Sequence, residues 1–268
     1  LDADCQVTTS DWLSRMVQPL VSDKSLVGSF TRFISRPGDP PMNRFLSYDW
    51  TQRDPVYAFF SRSASDTIVE RRQGYSLCKF EPGLTPPVGL ILFRRPVLLL
   101  LMEHMRSLGL YPDIDVPALL AKRGYTRYAY VPIGLYHTHA GGLRELVSKR
   151  LRNLRRVYLI TRKRREYVWF DLSKREDFAK VALWILCVNA FFPMLVRSLY
   201  RSVKYRDWVF IYEPIVAVAI TDSLIYGFLS EAQGRAMIRD AIFSLVGRRS
   251  ATHATNKRQK ALYPRSIL

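Results

Sequence analysis

The chain has 268 residues and a formal net charge of +18, with 41 Lys and Arg against 23 Asp and Glu. Its content of 48% hydrophobic and 13% aromatic residues is ample for one large or two ordinary domains and excludes a disordered protein. The excess of positive charge predicts negatively charged partners, namely nucleic acid, anionic lipid or phosphorylated substrates.

The cysteines Cys5, Cys78 and Cys187 are few, odd in number and far apart. This argues against a disulfide framework or a zinc site and is typical of a reducing compartment. The sequence opens inside a strand-like Leu-Asp-Ala-Asp segment, with neither a signal peptide nor an initiator Met. We therefore expect it to be a fragment whose gene continues upstream.

The first segment carries two carboxylates, Asp2 and Asp4, separated by one small residue and preceded by the apolar Leu1. If Leu1 ends a buried strand, both carboxylates project from the strand end, where an open α/β sheet binds its ligand. Two hard oxygen ligands in that place can hold one Mg²⁺ or Mn²⁺ and leave positions open for a substrate diphosphate. The D-x-D pattern is also common by chance, so a solvated loop is the alternative interpretation.

Hydrophobic spacing predicts helices and strands along the first half of the chain. The expected elements are a helix from Trp12 to about Leu20, a strand within 25–34, a helix and loop over a cleft within 42–60, a strand at 88–93, a helix at 96–108 ended by Gly109, a helix at 118–123 and a strand at 125–131. The apolar run inside 96–108 is far too short to span a bilayer, so we expect it in the core.

Further candidates are the acidic pair Asp113 and Asp115 and the histidines His137 and His139. The carboxylates lie at or just before a predicted helix N-terminus, where the macrodipole favours anions, and an ordinary helix cap is the alternative. The histidines, just past a predicted strand, could ligate a metal, although most such histidines are hydrogen-bonded or exposed.

The chain becomes strongly basic between Arg144 and Arg175. Apolar residues recur at helical spacing through the first half of this segment, which predicts an amphipathic basic helix. Such a helix suits an anionic membrane surface. It could equally pack on a protein core with its charges solvated.

Two apolar stretches follow, at 181–196 and 208–229. As a helix the first covers roughly 24 Å, short of the ~30 Å hydrocarbon core, and two carboxylates and a proline interrupt the second. The basic residues between them would stay on the cytoplasmic side. We therefore expect an interfacial or re-entrant helical pair rather than two spanning helices.

The order and spacing of these motifs resemble a family 2 glycosyltransferase with the GT-A fold. The segments that carry the resemblance are Asp2-Ala3-Asp4 followed by Trp12-Leu13, then Gly89-Leu90-Ile91-Leu92-Phe93-Arg94-Arg95, then Asp113-Ile114-Asp115 ahead of Gly124-Tyr125, and then Tyr136-His137. The resemblance covers roughly residues 1–160 well and the C-terminal helices in general character. It implies an α/β fold, an incomplete, Rossmann-like GT-A domain followed by basic amphipathic and membrane-associated C-terminal helices.

The domain organisation predicted on this basis has four parts. Residues 1–142 form the C-terminal, acceptor-side part of a GT-A domain, 143–177 a basic amphipathic segment, 178–247 membrane-associated helices, and 248–268 a basic disordered tail. The half of the fold that holds the nucleoside would lie upstream, so we expect this chain alone to be inactive and poorly soluble.

The resemblance implies a role for each candidate residue. Asp2 and Asp4 bind the metal and the sugar-nucleotide diphosphate, and His137 lies where many relatives carry a histidine near the diphosphate or metal. Asp113 falls on the position of the catalytic base, with Pro112 standing where the family usually has Glu.

Three further residues complete the predicted site. Arg150 and Arg152 belong to a cluster that resembles a basic family motif, and they would stabilise the departing diphosphate. Asp115 is assigned to capping or to acceptor binding.

The implied activity is an inverting, metal-dependent transfer of a sugar from a nucleotide-sugar donor to an acceptor hydroxyl. The expected cofactor is Mg²⁺ or Mn²⁺, and the acceptor would be lipid-linked or a cell-envelope polysaccharide. The expected location is the cytoplasmic face of the cell membrane, at an anionic surface.

Two other functions are weighed against this one. A non-enzymatic basic membrane-surface module would use the acidic motifs only as caps and loops. Nucleic-acid binding is disfavoured, because the basic residues lie beside long apolar stretches and no recognisable nucleic-acid motif is present.

Overall fold

The computed structural model describes residues 4–108, 112–161, 165–172 and 174–244. Helices predominate, and eight strands form two mixed sheets in the described part of the chain, so the α/β class is confirmed. The strands are β1 (Cys5–Val7), β2 (Gly28–Phe30), β3 (Phe33–Ile34), β4 (Ile68–Arg72), β5 (Tyr75–Lys79), β6 (Ile91–Phe93), β7 (Arg127–Tyr130) and β8 (Leu135–His137).

The larger sheet has the order β4-β5-β7-β2-β6. Only its central pair, β2 and β7, is parallel within the described sheet; β2 pairs antiparallel with β6, as do β5 with β7 and β4 with β5. The smaller sheet has the order β1-β8-β3, in which β8 runs antiparallel to β1 and parallel to β3. Since β8 is central there, its last residue lies beside the beginning of β1.

Ten α-helices lie within the described ranges. They are α1 (Trp12–Ser22), α2 (Pro41–Leu46), α3 (Pro55–Phe60), α4 (Arg95–Leu108), α5 (Pro112–Lys122), α6 (Leu143–Asn153), α7 (Leu159–Thr161), α8 (Arg175–Asn189), α9 (Phe192–Tyr205) and α10 (Tyr212–Ser230). A π-helical turn (Leu154–Tyr158) joins α6 to α7, and residues 232–244 are also helical.

Most predicted elements of the first half are confirmed, with changed boundaries. The helix expected from Trp12 is α1, whose buried side chains recur at helical spacing. The strand expected within 25–34 is two strands, β2 and β3, and those expected at 88–93 and 125–131 are the shorter β6 and β7. The segment 42–60 contains α2 and α3.

The helix predicted at 96–108 is α4, and Gly109, expected to end it, lies outside the described residues. Its apolar run is only partly in the core, because Leu101 is fully buried whereas Leu99 and Leu100 are more than half exposed.

The helix predicted at 118–123 is α5, and it begins at Pro112 rather than after Pro117. Proline suits the first helical position because its missing N–H has no intrahelical partner there. Pro117 removes one backbone hydrogen bond, and burial of the apolar face of α5 against the larger sheet offsets this cost. Asp113 and Asp115 therefore lie in the first turn of α5, which agrees with their predicted place at a helix N-terminus.

The largest apolar core joins the middle of the chain to its C-terminal helices. Phe45 and Val56, from α2 and α3, share one buried cluster with Leu146 of α6, Val188 of α8 and Ile220 of α10. The basic amphipathic helix predicted from residue 143 is α6, and its apolar face packs in this core. This packing is the second of the two arrangements open from the sequence.

Only some of the described C-terminal helices are long and apolar enough to cross a membrane. Among the described residues, one segment, Trp208–Ser230, is long and apolar enough to cross a bilayer, and 44% of its apolar window is buried inside the protein. Helices α8 and α9 meet this criterion together only as a pair bent by 78°. Core helices of soluble proteins share these properties, so membrane association stays a prediction.

Candidate metal and substrate site

Strand pairing brings two predicted metal ligands together. The register places Cys5 of β1 opposite His137 of β8, so the preceding residue, Asp4, lies beside the imidazole. Asp4 Oδ2 is 3.3 Å from His137 Nε2, and one donor atom each from Asp4, Cys5 and His137 lie within 4.8 Å of one another. Asp2, the other carboxylate of the predicted pair, lies outside the described residues.

Gln52 orients the His137 ring. Its Nε2 donates to Ser47 Oγ at 2.8 Å and to the His137 carbonyl oxygen at 3.2 Å. Because the carbonyl can only accept, Gln52 Oε1 is the atom that faces His137 Nδ1, and Nδ1 donates to it. In the neutral ring the lone pair is therefore on Nε2, the nitrogen nearest Asp4.

The backbone at Gln52 is itself unusual. Gln52 is fully buried and has a φ of 53°, in the left-handed region that non-glycine residues rarely occupy. Such a conformation costs on the order of 1–3 kcal/mol and persists only where its surroundings hold it. The bonds to Ser47 and His137 supply that restraint.

Asn43 fixes the chain beyond β8. Its Nδ2 donates to the His137 carbonyl oxygen at 3.0 Å and to Asp39 Oδ2 at 2.8 Å, while its Oδ1 accepts from the His139 backbone N–H at 2.8 Å. Asn43 is fully buried. The positions of both histidines thus depend on buried amide side chains from the segment 41–54.

The donor chemistry of the cluster limits which cation fits. A carboxylate oxygen and an imidazole lone pair 3.3 Å apart repel each other unless a proton or a cation lies between them. Carboxylate with imidazole suits Mn²⁺ better than Mg²⁺, which prefers oxygen ligands alone. Participation of the Cys5 thiol would instead suit Zn²⁺.

A cavity of about 660 Å³ opens beside this cluster, and Gln52, His137, His139 and Arg150 line its polar end. Arg150 Nε hydrogen-bonds to Asp54, a carboxylate only 1% exposed. These contacts anchor one of the two predicted diphosphate-binding arginines at the cavity wall.

Asp54 also caps α3, because its Oδ1 accepts from the Tyr57 backbone N–H at 2.9 Å. The other predicted arginine, Arg152, is exposed and does not line the cavity. Residues two apart on a helix lie on different faces, so Arg150 and Arg152 cannot both face this site.

His139 is a neutral group in the cavity wall. Burial, assisted by the positive charges of Arg150 and Lys149, lowers the pKa of His139 to about 3. Its Nε2 is buried and has no hydrogen-bond partner in the part of the chain that the structure describes. A ligand in the cavity could provide that partner.

Of the two carboxylates of α5, the structure describes only that of Asp115. The side chain of Asp113 lies outside the described part of the structure, although the next residue, Ile114, lines the cavity. Asp115 is fully buried; its carboxylate accepts from Arg165 Nη2 at 3.0 Å and from the Tyr167 backbone N–H at 2.9 Å. Asp115 therefore anchors the segment that forms another wall of the cavity.

Two tyrosines line the cavity between Arg150 and Arg165. Burial raises the pKa of Tyr57 well above its ordinary value and that of Tyr167 to about 12. Both hydroxyls therefore stay protonated at neutral pH. Tyr57 and Tyr167 hydrogen-bond to each other through these hydroxyls.

Sequence reasoning missed Gln52, Asp54 and Arg165. Asp54 carried a usable signal, since an Asp before Pro55 is a common way to begin a helix. Arg165 was one member of a polybasic run, and its pairing with Asp115 depends on tertiary structure. For Gln52 the sequence offered no signal, because its role depends on the approach of β8.

Neither the family models nor the curated proteins searched give a match to this chain.

Proposed function

We propose that the protein is an inverting, metal-dependent glycosyltransferase of family 2, with a GT-A catalytic domain, acting at the cytoplasmic face of the membrane. The observation that carries this proposal is the Asp4–His137 pair, in which Gln52 orients His137, and His137 lines the same cavity as Arg150. The resemblance found in the sequence predicts both residues of the pair at a diphosphate and metal site.

The metal would be held by Asp4 and His137, with Asp2 as the other D-x-D carboxylate, and when bound it would supply positive charge beside the departing diphosphate. The guanidinium of Arg150 donates hydrogen bonds to diphosphate oxygens from the cavity wall. Its pairing with Asp54 keeps it in one orientation before the substrate arrives.

Asp113 is the proposed base. It removes the proton of the acceptor hydroxyl as that oxygen attacks the anomeric carbon, and the bond from that carbon to the diphosphate oxygen breaks on the opposite face. This single displacement inverts the configuration. The support for Asp113 is its place in the first turn of α5, next to the cavity-lining Ile114.

Membrane association is supported by apolar side chains on the outside of the C-terminal helices. Leu186 of α8, Phe192 and Val203 of α9 and Ile215 of α10 are between 48% and 79% exposed. Basic residues of α9 lie among them, which suits an anionic bilayer surface.

The test is release of nucleoside diphosphate from a panel of nucleotide sugars by the full-length protein in bilayers that contain total membrane lipid. We expect release with Mn²⁺ and none after chelation. Asp4→Asn should reduce the rate at least about 100-fold, because it removes a charge that positions the leaving group.

A matched control is Asp11→Asn, since Asp11 is also an exposed carboxylate near the start of the chain and its side chain makes no cap hydrogen bond. The rate of Asp11→Asn should stay within about twofold of the rate of the unsubstituted protein. This corresponds to a change in activation free energy well under about 1 kcal/mol. Equal rates for Asp4→Asn and Asp11→Asn would refute the proposed role of the site.

The exposed apolar and basic residues of α9 also favour the alternative of a non-enzymatic membrane-surface module. Under that alternative, the full-length protein binds anionic vesicles but releases no nucleoside diphosphate from any nucleotide sugar. Vesicle binding that survives Asp4→Asn fits both functions, so the transfer assay decides between them.

A further inference from the structure

Two kinds of side chain line the cavity. Gln52, His137, His139 and Arg150 contribute amide, imidazole and guanidinium groups. The side chains that α8, α10 and the segment 167–172 contribute are almost entirely apolar. Representative side chains among them are Trp169, Phe170, Val181, Ile185, Ile225 and Phe228.

The volume of the cavity indicates a ligand rather than imperfect packing. Protein interiors leave few voids larger than a water molecule, whereas ligand pockets measure about 300–1,000 Å³. At about 660 Å³ the cavity falls in the second range.

The apolar walls determine the chemistry of the occupant. A sugar chain placed there would lose hydrogen bonds to water and regain few, which is unfavourable for each hydroxyl group. The charged residues that line the described cavity, Arg150 and Arg165, are both paired with buried carboxylates. An alkyl or isoprenyl chain matches the remaining walls.

The cavity also lies next to a surface from which a lipid could enter. On α8, Val181 and Ile185 line the cavity, whereas Leu183 and Leu186 of the same helix are 54% and 68% exposed and do not line it. Helix α8 is thus apolar on both sides, with one side toward the cavity and the other toward the exterior.

We propose that this cavity binds the single apolar chain of a lipid acceptor, with its oxygen-bearing head group beside His139. His139 lines the cavity and its Nε2 has no hydrogen-bond partner in the described part of the chain, so it can bind that oxygen, while Arg150 remains assigned to the diphosphate. This deepens the proposed function and rests on it, because the lipid is an acceptor only if the protein transfers a sugar. The cavity that holds the lipid is also lined by His137, one residue of the metal cluster.

The probe is dodecyl phosphate brominated midway along its chain, added below its micelle concentration to the full-length protein held in amphipol. Bromine quenches tryptophan fluorescence on contact, and Trp169 and Trp184 both line the cavity. We expect saturable quenching that persists in Trp208→Phe, because Trp208 is on the exterior, 58% exposed. Inorganic phosphate with bromide should not quench.

Two substitutions on α8 separate the cavity from the outer surface. Ile185→Glu puts a carboxylate into the apolar wall and should weaken binding of the probe about tenfold or more. Leu186→Glu, on the exposed side, should leave binding within about twofold. Equal loss in the two variants, or quenching confined to Trp208, would show surface partitioning and overturn the proposal.

A conservative variant guards against misfolding of Ile185→Glu. Ile225→Phe stays apolar but reduces the volume of the cavity, so it should shift the preference from dodecyl phosphate toward octyl phosphate. An unchanged preference would count against a chain bound in the cavity. So would quenching that arises only after residues 245–268 are deleted, because that segment would then be the occupant.

These measurements use no nucleotide sugar, so they fail independently of the transferase proposal. Saturable lipid binding without sugar transfer would leave the cavity assignment standing and refute the function. Transfer to soluble acceptors by a protein that does not bind the probe would do the reverse.

Discussion

In most proteins polar side chains are exposed and apolar ones are buried. Two regions of this protein depart from that distribution in opposite directions, namely the surroundings of the two histidines and the C-terminal helices. Around the histidines, Asn43 and Gln52 are polar and fully buried. On the C-terminal helices, Phe192 and Val203 are apolar and 69% and 79% exposed. Each arrangement is unfavourable unless something compensates for it.

The compensation differs between the two regions. The amides of Asn43 and Gln52 hydrogen-bond within the chain. Both donate to the His137 carbonyl oxygen, and Asn43 also accepts from the His139 backbone N–H, so the protein alone holds the site in place. Within the described residues no other segment of the chain covers the exposed side chains of α8 to α10, and under the proposed function a bilayer surface covers them. The comparison therefore predicts that the site is sensitive to loss of single polar atoms, and the helices to changes of surface chemistry.

The largest expected effect on stability is at Asp54. Asp54→Ala leaves the Arg150 guanidinium without its buried partner and removes the cap of α3. We expect a loss of roughly 3 kcal/mol or more, measured by thermal and denaturant unfolding. Asp66→Ala, at an exposed carboxylate, should change stability by less than about 0.5 kcal/mol. Similar losses in both variants would contradict the buried pair.

The next effect is on metal affinity. Gln52→Leu removes the acceptor that holds His137 Nδ1–H, so the ring is no longer fixed with Nε2 toward Asp4. Binding of Mn²⁺, measured by electron paramagnetic resonance, should weaken about tenfold. Gln18→Leu, on the exposed side of α1, is the control and should bind as the unsubstituted protein does. An unchanged affinity in Gln52→Leu would show that the ring needs no such support.

A smaller effect is expected on the outer face of α8. Leu186→Ser should reduce the affinity for anionic vesicles about fivefold, or ~1 kcal/mol, because part of one leucine side chain no longer enters apolar surroundings. Cosedimentation with vesicles measures this. Val69→Ser removes a similarly exposed side chain from β4 and should have no effect. If both substitutions weaken binding equally, α8 is not the contact surface.

The smallest effect is expected at Cys5. With a carboxylate and an imidazole as ligands of Mn²⁺, Cys5→Ser should change Mn²⁺ affinity by less than about twofold. A large loss, together with preference for Zn²⁺ over Mn²⁺, would instead identify the thiol as a ligand.

The sequence was informative where a local rule determines structure. Helical spacing predicted α1 and α6, a short apolar run predicted β6, and the alternation of aromatic and small residues predicted β7. Helix α5 extends back from the predicted segment 118–123 to Pro112, because a proline inside a helix, here Pro117, is tolerated when the apolar face around it is buried.

The candidate site was predictable only in part, for a related reason. His137 and Asp4 were both proposed from the sequence, but their meeting depends on the antiparallel register of β1 and β8. The exclusion of Arg152 from the cavity follows from helix geometry and was foreseeable once α6 was predicted. The role of Gln52 was not foreseeable, because it depends on a left-handed backbone and a tertiary contact with a distant strand.

The central claim is that Asp4 and His137 together hold the metal of a sugar-transfer site. The most direct measurement is the stoichiometry and affinity of Mn²⁺ binding to the full-length protein with nucleoside diphosphate present, compared among Asp4→Asn, His137→Ala and the double variant. The account predicts one Mn²⁺ per chain, severe loss in each single variant, and little further loss in the double variant because both remove the same ion. Mn²⁺ binding of unchanged affinity in both single variants would contradict it.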